Sequence, residues 1–143
     1  MTYSEWEMNR SEGIRRDPLW KMSAYRYALY AAELGLGDAL LLERRRLTQP
    51  LASQLYRALG SIGANLAEGY SRSSGRDRVR FFEYALGSAR EARHWYGLVE
   101  GVVGQEIVAL RCAVLSQIAR ILLVAIPSER QRLVRQIGTQ QSS

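Results

Sequence analysis

The segment from Leu51 to Tyr70 constrains the fold of this chain more than any other, because its residues sort into three faces of a helix. At about 100° per residue, one face is apolar and a second has almost no side-chain volume. The third is a row of polar residues at steps of three and four. A surface helix needs only one apolar face and one hydrated face. The segment therefore predicts a helix with neighbours on most of its sides.

Each face has a distinct composition. The apolar face consists of Leu51, Leu55, Ala58, Leu59, Ile62 and Leu66. The small-residue face consists of Ser53, Gly60, Gly63, Ala64 and Ala67. Because glycine costs about 1 kcal/mol relative to alanine inside a helix, the two glycines predict that another backbone comes very close.

The third face, the polar row, consists of Gln54, Arg57, Ser61, Asn65 and Glu68. One interpretation is a solvated surface. The other is a hydrogen-bonded row that fixes the register between helices or subunits. We favour the second, because short polar residues such as serine and asparagine are poor choices for an exposed helix interior.

Helical spacing and end signals predict four long helices. The first begins at Asp17-Pro18 and ends near the glycines of Gly35-Leu36-Gly37. The second runs from Thr48 to about Ala67, and the third from Ser73 or Ser74 to about Val103. The fourth runs from Gln105 to a stop at Pro127. Residues 38–47 fit either a short helix or a loop.

The predicted fold class is all-α, because the chain has no segment with the two-residue period of a strand. Four long helices with short connections predict an antiparallel up-down-up-down four-helix bundle over residues 17–127. Residues 1–16 are predicted to be a flexible arm with partial helix. Residues 128–143 are predicted to be a C-terminal tail that either frays or forms one short helix.

Positive charge is the strongest functional signal in the composition. The formal net charge is +6, and Lys21 is the only lysine among 20 basic residues. Such a chain favours anionic partners, and arginine in particular suits phosphate. An arginine bias from genome base composition is the alternative explanation. The basic residues concentrate at the start of the third helix and along it: Arg72, Arg76, Arg78, Arg80, Arg90 and His94.

These residues predict a basic track about three helical turns long that contacts nucleic-acid phosphates. From the sequence we expect Glu83 to be the only nearby counter-charge on this track. A solubilising surface is the alternative interpretation.

The chain lacks the residues from which common catalytic and metal sites are built. His94 is the only histidine and Cys112 the only cysteine, and no phosphate-binding loop follows a strand. We therefore expect a protein that is not an enzyme and has no cofactor. The polar N-terminus lacks the pattern of a signal peptide. Charged residues interrupt the apolar run from Ile107 to Ile126, so we expect a cytoplasmic protein without a membrane span.

The central third of the chain resembles small four-helix-bundle proteins first noticed as reading frames inside intervening sequences of bacterial 23S ribosomal RNA genes. The family pattern is Gln-x-x-Arg-x-x-x-Ser-x-x-x-Asn-hydrophobic-Ala-Glu-Gly, then Arg-x-Ser, an aromatic-containing helix and Gly-Ser-x-x-Glu. The matching residues here are Gln54, Arg57, Ser61, Asn65, Leu66, Ala67, Glu68, Gly69, Arg72, Ser74, Phe81, Gly87, Ser88 and Glu91. The stretch GLGDALLLERRRL is longer than the link expected between the first two helices.

This resemblance implies a ring-like homopentamer of antiparallel bundles, in which the polar row has a structural role. It also implies kinship with the accessory variability determinant of diversity-generating retroelements, which binds nucleic acid and a reverse transcriptase. The leading hypothesis is therefore a non-enzymatic, oligomeric nucleic-acid-binding or adaptor protein, either an accessory factor of a reverse transcriptase or part of a ribosomal RNA intervening sequence. The alternative is a protein-binding structural module that does not touch nucleic acid.

Overall fold

The computed structural model describes residues 1–141, without the side chains of residues 133–137. Every regular element in this range is helical, so the predicted all-α class is confirmed. The helices are α1 (Tyr3–Met8), α2 (Glu12–Arg16), a 3₁₀ turn (Pro18–Lys21), α3 (Ser23–Glu43), α4 (Gln49–Tyr70), α5 (Gly75–Leu98), α6 (Glu100–Val103) and α7 (Gln105–Gln141).

Four long helices enclose one hydrophobic core. Helix α3 contacts α4, α4 contacts α5, α5 contacts α7, and α7 contacts α3 in turn. Helix α4 contributes most of its predicted apolar face, and Leu55, Leu59 and Ile62 are at most 1% exposed. Burial of such side chains is the main favourable term in folding, at roughly 25 cal/mol per Å² of apolar surface.

Helix α3 continues past the glycines at which we predicted its end. It extends through Gly35 and Gly37 to Glu43, so most of the ambiguous 38–47 segment is helix. The cause is tertiary: a Cβ at Gly35 would lie 2.1 Å from Leu59 Cδ1 and 3.3 Å from the Tyr96 hydroxyl. The glycine lets α3 approach α4 and α5, and that packing outweighs the low helix propensity of glycine. The link that looked long from the sequence is therefore mostly helix.

Other helix boundaries also differ from the prediction. Asp17-Pro18 starts the 3₁₀ turn, with the Asp17 carboxylate accepting from the Leu19 N–H, and the first long helix begins only at Ser23. Helix α5 ends at Leu98, and the short α6 separates it from Gly104, whose φ of +105° makes the turn into α7. Helix α7 does not stop at Pro127 but continues to Gln141. Pro127 and Leu123 are both exposed, so the hydrogen bond that proline cannot donate is missing on the solvent side of the helix. Ser142 and Ser143 of the predicted tail lie outside the described residues.

The predicted N-terminal arm is anchored on the outer side of α3. Trp6 of α1 is 2% exposed, and its indole N–H donates to Glu33 Oε2 at 2.6 Å. Its ring packs against three other aromatic side chains, those of Tyr3, Trp20 and Tyr30. Burial of these rings holds in place a segment whose sequence has no clear helical period.

Helix α7 is apolar on more than its core side. Residues Gln105–Arg132 are long and apolar enough, by length and composition alone, to cross a membrane. The charged residues of this run are therefore too sparse to exclude a span, contrary to our expectation from the sequence. Only 28% of its most apolar stretch is buried. A row of residues at alternating steps of three and four contains no buried residue and is here called the α7 seam: Ile107, Leu110, Val114, Gln117, Ile121, Val124 and Ser128. Val114 and Ile121 of this row are half-buried and also pack against the core.

Candidate nucleic-acid interface

The turn between α4 and α5 brings most of the predicted binding residues to one end of the molecule. Ser74 caps the N-terminus of α5, and its side chain accepts a hydrogen bond from the Asp77 backbone N–H at 3.4 Å. At the end of α4, a Cβ on Gly69 would lie 3.0 Å from both Phe81 and Phe82. Glycine at this position therefore lets α5 begin directly against α4.

Two arginines and two aromatic rings form the exposed centre of this end. The guanidinium carbons of Arg72 and Arg80 lie over the Phe81 ring, at 5.0 and 5.1 Å from its centroid. Tyr84, one turn further along α5, meets Phe81 edge-on at 5.8 Å and is 53% exposed. Cation–π contact orients both arginines while leaving their N–H groups accessible. We call Arg72, Arg76, Arg80, Phe81 and Tyr84 the turn patch.

Arg78 differs from its predicted neighbours because its guanidinium is used within the fold. It donates to the carbonyl oxygens of Arg72 at 3.0 Å and Ser73 at 3.2 Å, and it lies 3.5 Å from Glu129 of α7. These contacts tie the turn to α7. The geometry assigns Arg78 to holding the turn in place.

The remaining basic residues follow the outer side of α5. Arg76 and Arg90 are exposed and have no ion-pair partner among the side chains that the structure describes. His94 is also exposed and meets the Trp95 ring edge-on at 5.1 Å. The structure thus brings Arg76 to the turn patch, with Arg90 and His94 further along the same helix.

Counter-charges are more numerous here than the sequence indicated. Besides Glu83, which pairs with Arg130, three carboxylates contact predicted binding arginines. These pairs are Glu68–Arg72 at 3.2 Å, Asp77–Arg80 at 3.6 Å and Glu129–Arg78 at 3.5 Å. The first two pairs are exposed and join residues three or four positions apart. Such pairs contribute only about 0–1 kcal/mol, so each arginine can bind a phosphate in place of its carboxylate at little cost.

The polar row of α4 lies beside α5 for part of its length. The Ser61 hydroxyl donates to Ser88 Oγ at 2.7 Å and also lies 2.9 Å from the Ala58 carbonyl. Asn65 instead donates to the Ser61 carbonyl of its own helix at 2.8 Å. Arg57 and Glu68 are exposed, and Gln54 is half-buried. One member of the predicted contact row therefore bridges two helices within this chain.

The two predicted contact glycines face different surroundings. Gly63 is buried, and a Cβ there would be in ordinary contact with Ala28 at 3.7 Å and Tyr25 at 3.8 Å. Gly60 is exposed, and a Cβ there would meet no described atom within 4 Å. Gly63 thus serves the packing of α4 on α3, whereas Gly60 has no such partner within the described chain.

A second polar cluster, which the sequence did not reveal, lies between α3, α5 and α7. Asp38 is 7% exposed, and its carboxylate accepts the Tyr96 hydroxyl at 2.6 Å. Arg111 also donates to it, from Nε at 2.8 Å and Nη2 at 3.4 Å. Burial, together with the hydrogen bond and charge of Asp38, raises the pKa of Tyr96 far above its usual value. We call this trio the buried cluster.

The buried cluster has the geometry of a structural ion pair. Burial by itself lowers the pKa of Arg111, but the hydrogen bonds and charge of Asp38 outweigh it, so that pKa is raised. Every buried side-chain polar atom that the structure describes has a hydrogen-bond partner. Across residues 1–141, no group of three His, Cys, Asp or Glu side chains is placed to hold a metal ion. Burial raises the pKa of the Cys112 thiol.

Comparison with known proteins finds a family that matches part of the chain and a solved structure with a similar fold. Residues 44–104 match the family described as 23S rRNA-intervening sequence protein. This match covers α4, the turn patch and α5. No curated protein sequence matches the chain.

A crystal structure of a protein of unknown function, from the S23 ribosomal protein family of Bacteroides thetaiotaomicron VPI-5482, has a similar fold. Its TM-score is 0.68 at 22% identity, and the aligned region covers 72% of this chain and 97% of that one. At this identity the likeness establishes the fold alone.

Proposed function

We propose that this chain is a non-enzymatic, oligomeric nucleic-acid-binding protein of the 23S rRNA intervening-sequence type, and that the turn patch contacts the phosphate backbone. The observation that carries the proposal is the exposed group of Arg72, Arg76 and Arg80, two of which lie over the Phe81 ring, on a chain of net charge +6. Arginine suits this role because its planar N–H groups match phosphate oxygens.

Charge reversal tests this proposal. Arg76→Glu/Arg80→Glu should weaken binding of a short fluorescein-labelled RNA by at least about tenfold in fluorescence anisotropy. The matched control is Arg44→Glu/Arg45→Glu, which makes the same change in net charge at exposed positions in the α3–α4 turn. Equal weakening in the two variants would indicate nonspecific attraction. Absence of RNA binding by the wild-type protein, even at low salt, would refute the function.

We also propose that the four long helices alternate in direction as an up-down-up-down bundle. Residue pairings at helix contacts support this arrangement. On α4 and α5, Gly69 lies against Phe81 while Ser61 bonds Ser88, so the numbering runs in opposite senses. The pairs Arg93–Ser116 and Arg78–Glu129 relate α5 and α7 in the same way. Electron paramagnetic resonance distances between spin labels at helix ends would test the alternation.

The α7 seam supports the oligomeric part of the proposal. Its alternating three- and four-residue spacing is that of a helix packed against another helix along its length. Leu110 is 61% exposed and Val124 is 74% exposed. We propose a second copy of this chain as the partner, because the same molecule also offers a groove between α3 and α4 with a small-residue floor. Gly60, Gly63 and Ala64 lie in that floor.

Two different surfaces of one molecule pair head to tail, which gives a ring when the rotation between copies closes. The family resemblance favours such a ring, with five copies. Gly60→Leu should reduce the oligomer to smaller species in analytical ultracentrifugation, because its side chain occupies the groove while its Cβ meets no described atom. Gly37→Leu, also at an exposed and uncontacted helical glycine, is the control.

A monomeric wild-type protein would contradict this account of the α7 seam. Flotation of the protein with lipid vesicles would instead assign the α7 seam to a membrane. We expect neither, and propose a cytoplasmic location. The resemblance also favours a reverse transcriptase as protein partner. If Arg76→Glu/Arg80→Glu left binding to such an enzyme intact while RNA binding was never observed, the alternative of a protein-binding module would replace our proposal.

A further inference from the structure

The turn patch contains one aromatic ring that the fold does not use. Phe81 is half-buried, and the guanidinium groups of Arg72 and Arg80 lie over its ring. Tyr84 is 53% exposed, and its described ring contact is the edge-on one with Phe81. A tyrosine ring on the solvent side of a helix gains little stability from burial, so this ring beside two cations is available to a ligand.

The positions of the two arginines relative to this ring define what it can bind. Since both guanidinium carbons lie about 5 Å from the Phe81 centroid, they are no more than about 10 Å apart. Tyr84 adjoins the same centroid at 5.8 Å. A half-exposed aromatic ring thus lies beside two cations that are oriented by their contact with Phe81. A nucleotide presents the complementary arrangement, with a flat base flanked by the phosphates on either side of it.

We infer that the turn patch binds single-stranded nucleic acid by stacking an unpaired base on Tyr84 while Arg72 and Arg80 contact the flanking phosphates. This inference rests on the proposed function and narrows its ligand class. In a duplex the base faces are covered by neighbouring bases, so a ring on a convex helix surface cannot reach them. In a single strand the faces are free, and aromatic stacking is a common way of binding them.

Acidic neighbours do not prevent this mode of binding. Glu68 and Asp77, which pair with the two arginines, lie on exposed sites and within one helical turn of them. A phosphate can replace each carboxylate at little cost, because such pairs contribute little to stability. Arg76, which has no such partner among the described side chains, adds uncompensated positive charge on the same side of α5.

The test compares Tyr84→Ala with Tyr84→Phe, which keeps the ring. Anisotropy is measured with a labelled single strand, with the same strand annealed to its complement, and with a strand of the same length that has abasic sites. Tyr84→Ala should bind the intact single strand about tenfold more weakly, whereas Tyr84→Phe should bind like the wild type. Duplex affinity should be unchanged in both variants. The wild-type protein should bind the abasic strand about tenfold more weakly than the intact one, and Tyr84→Ala should not distinguish them.

Either of two affinity results would overturn the inference and leave the proposed function intact. These are equal affinity of Tyr84→Ala and wild type for the intact strand, and wild-type binding to the duplex as tight as to the single strand. Loss of all binding by the wild type would instead remove the proposed function itself. The wild-type comparison of intact and abasic strands needs no variant, so the inference stays testable if Tyr84→Ala does not fold. If the oligomer of Tyr84→Ala had a smaller mass than those of Tyr84→Phe and the wild type, the Tyr84 ring would be assigned to a subunit contact, and the inference would be overturned.

Discussion

Two arginine–aromatic clusters in this molecule differ mainly in their exposure to water. In the buried cluster, Arg111 and Tyr96 both donate to the single carboxylate of Asp38. In the turn patch, Arg72 and Arg80 lie over Phe81 in solvent, and each has only a nearby carboxylate on its own stretch of chain. Similar residue types therefore appear in two different physical settings.

The difference shows which arginines are free to bind a ligand. A buried ion pair gives up hydration that its mutual attraction only partly restores, so breaking it leaves a costly unpaired charge. Arg111 is committed to Asp38 for this reason and links α7 to α3. An exposed pair gains little from its own contact and remains hydrated. The arginines of the turn patch can therefore exchange a carboxylate for a phosphate at little cost.

Removing the buried carboxylate should have the largest effect. Asp38→Ala leaves Arg111 and the Tyr96 hydroxyl unpaired, and should lower the free energy of unfolding by about 3–5 kcal/mol. Urea denaturation followed by circular dichroism would measure this change. The matched control is Asp77→Ala in the turn patch, which should cost less than about 1 kcal/mol. Similar destabilisation in both variants would remove the distinction between the two clusters.

A pair of glycine substitutions tests the packing beside the buried cluster. Gly35→Ala places a Cβ 2.1 Å from Leu59 Cδ1, and Leu59 is fully enclosed by the core. We expect destabilisation by about 1–3 kcal/mol, because the core must shift to accept the methyl group. Gly60→Ala, whose Cβ meets no described atom, should instead raise stability by up to about 1 kcal/mol. Thermal melting should therefore show a lower melting temperature for Gly35→Ala and a higher one for Gly60→Ala than for the wild type.

Alkaline pH should act on the buried cluster through Tyr96. Its pKa is raised in the folded state by burial and by Asp38, so the unfolded chain releases this proton first as pH increases. The stabilisation that the protonated Tyr96 hydroxyl provides is fully present below about pH 10. Above that pH the free energy of unfolding should fall by about 1.4 kcal/mol per pH unit. Tyr96→Phe should reduce that slope in urea denaturation between about pH 9 and about pH 11. An identical slope in the variant would contradict our description of Tyr96.

Sequence periodicity predicted those features that depend on neighbouring residues. The apolar face of α4 was placed correctly, because burial of Leu55, Leu59 and Ile62 follows from helical spacing alone. Ser74, one of the two residues predicted to start the third helix, is the N-cap of α5. The concentration of arginines at the α4–α5 turn was likewise visible from the sequence.

Features that depend on distant parts of the chain were missed. Asp38 meets Tyr96 and Arg111 across 58 and 73 residues, and nothing in the local pattern of any of them indicates that contact. Gly35 was interpreted as a helix end because the packing of Leu59 and Tyr96 against it is also long-range. The one signal of the buried cluster in the sequence was a charged residue inside an apolar run, Asp38 in one run and Arg111 in another.

The most direct test of the central claim is the salt dependence of single-stranded RNA binding. For Arg76→Ala/Arg80→Ala, the slope of log affinity against log salt concentration should be shallower than for the wild type, by about 0.7 for each phosphate that the variant no longer neutralises. Asp38→Ala, wherever it remains folded, should keep the wild-type slope, because Arg111 contacts no phosphate. An unchanged slope in Arg76→Ala/Arg80→Ala, or a wild-type slope near zero, would contradict the assignment of the turn patch as the nucleic-acid interface.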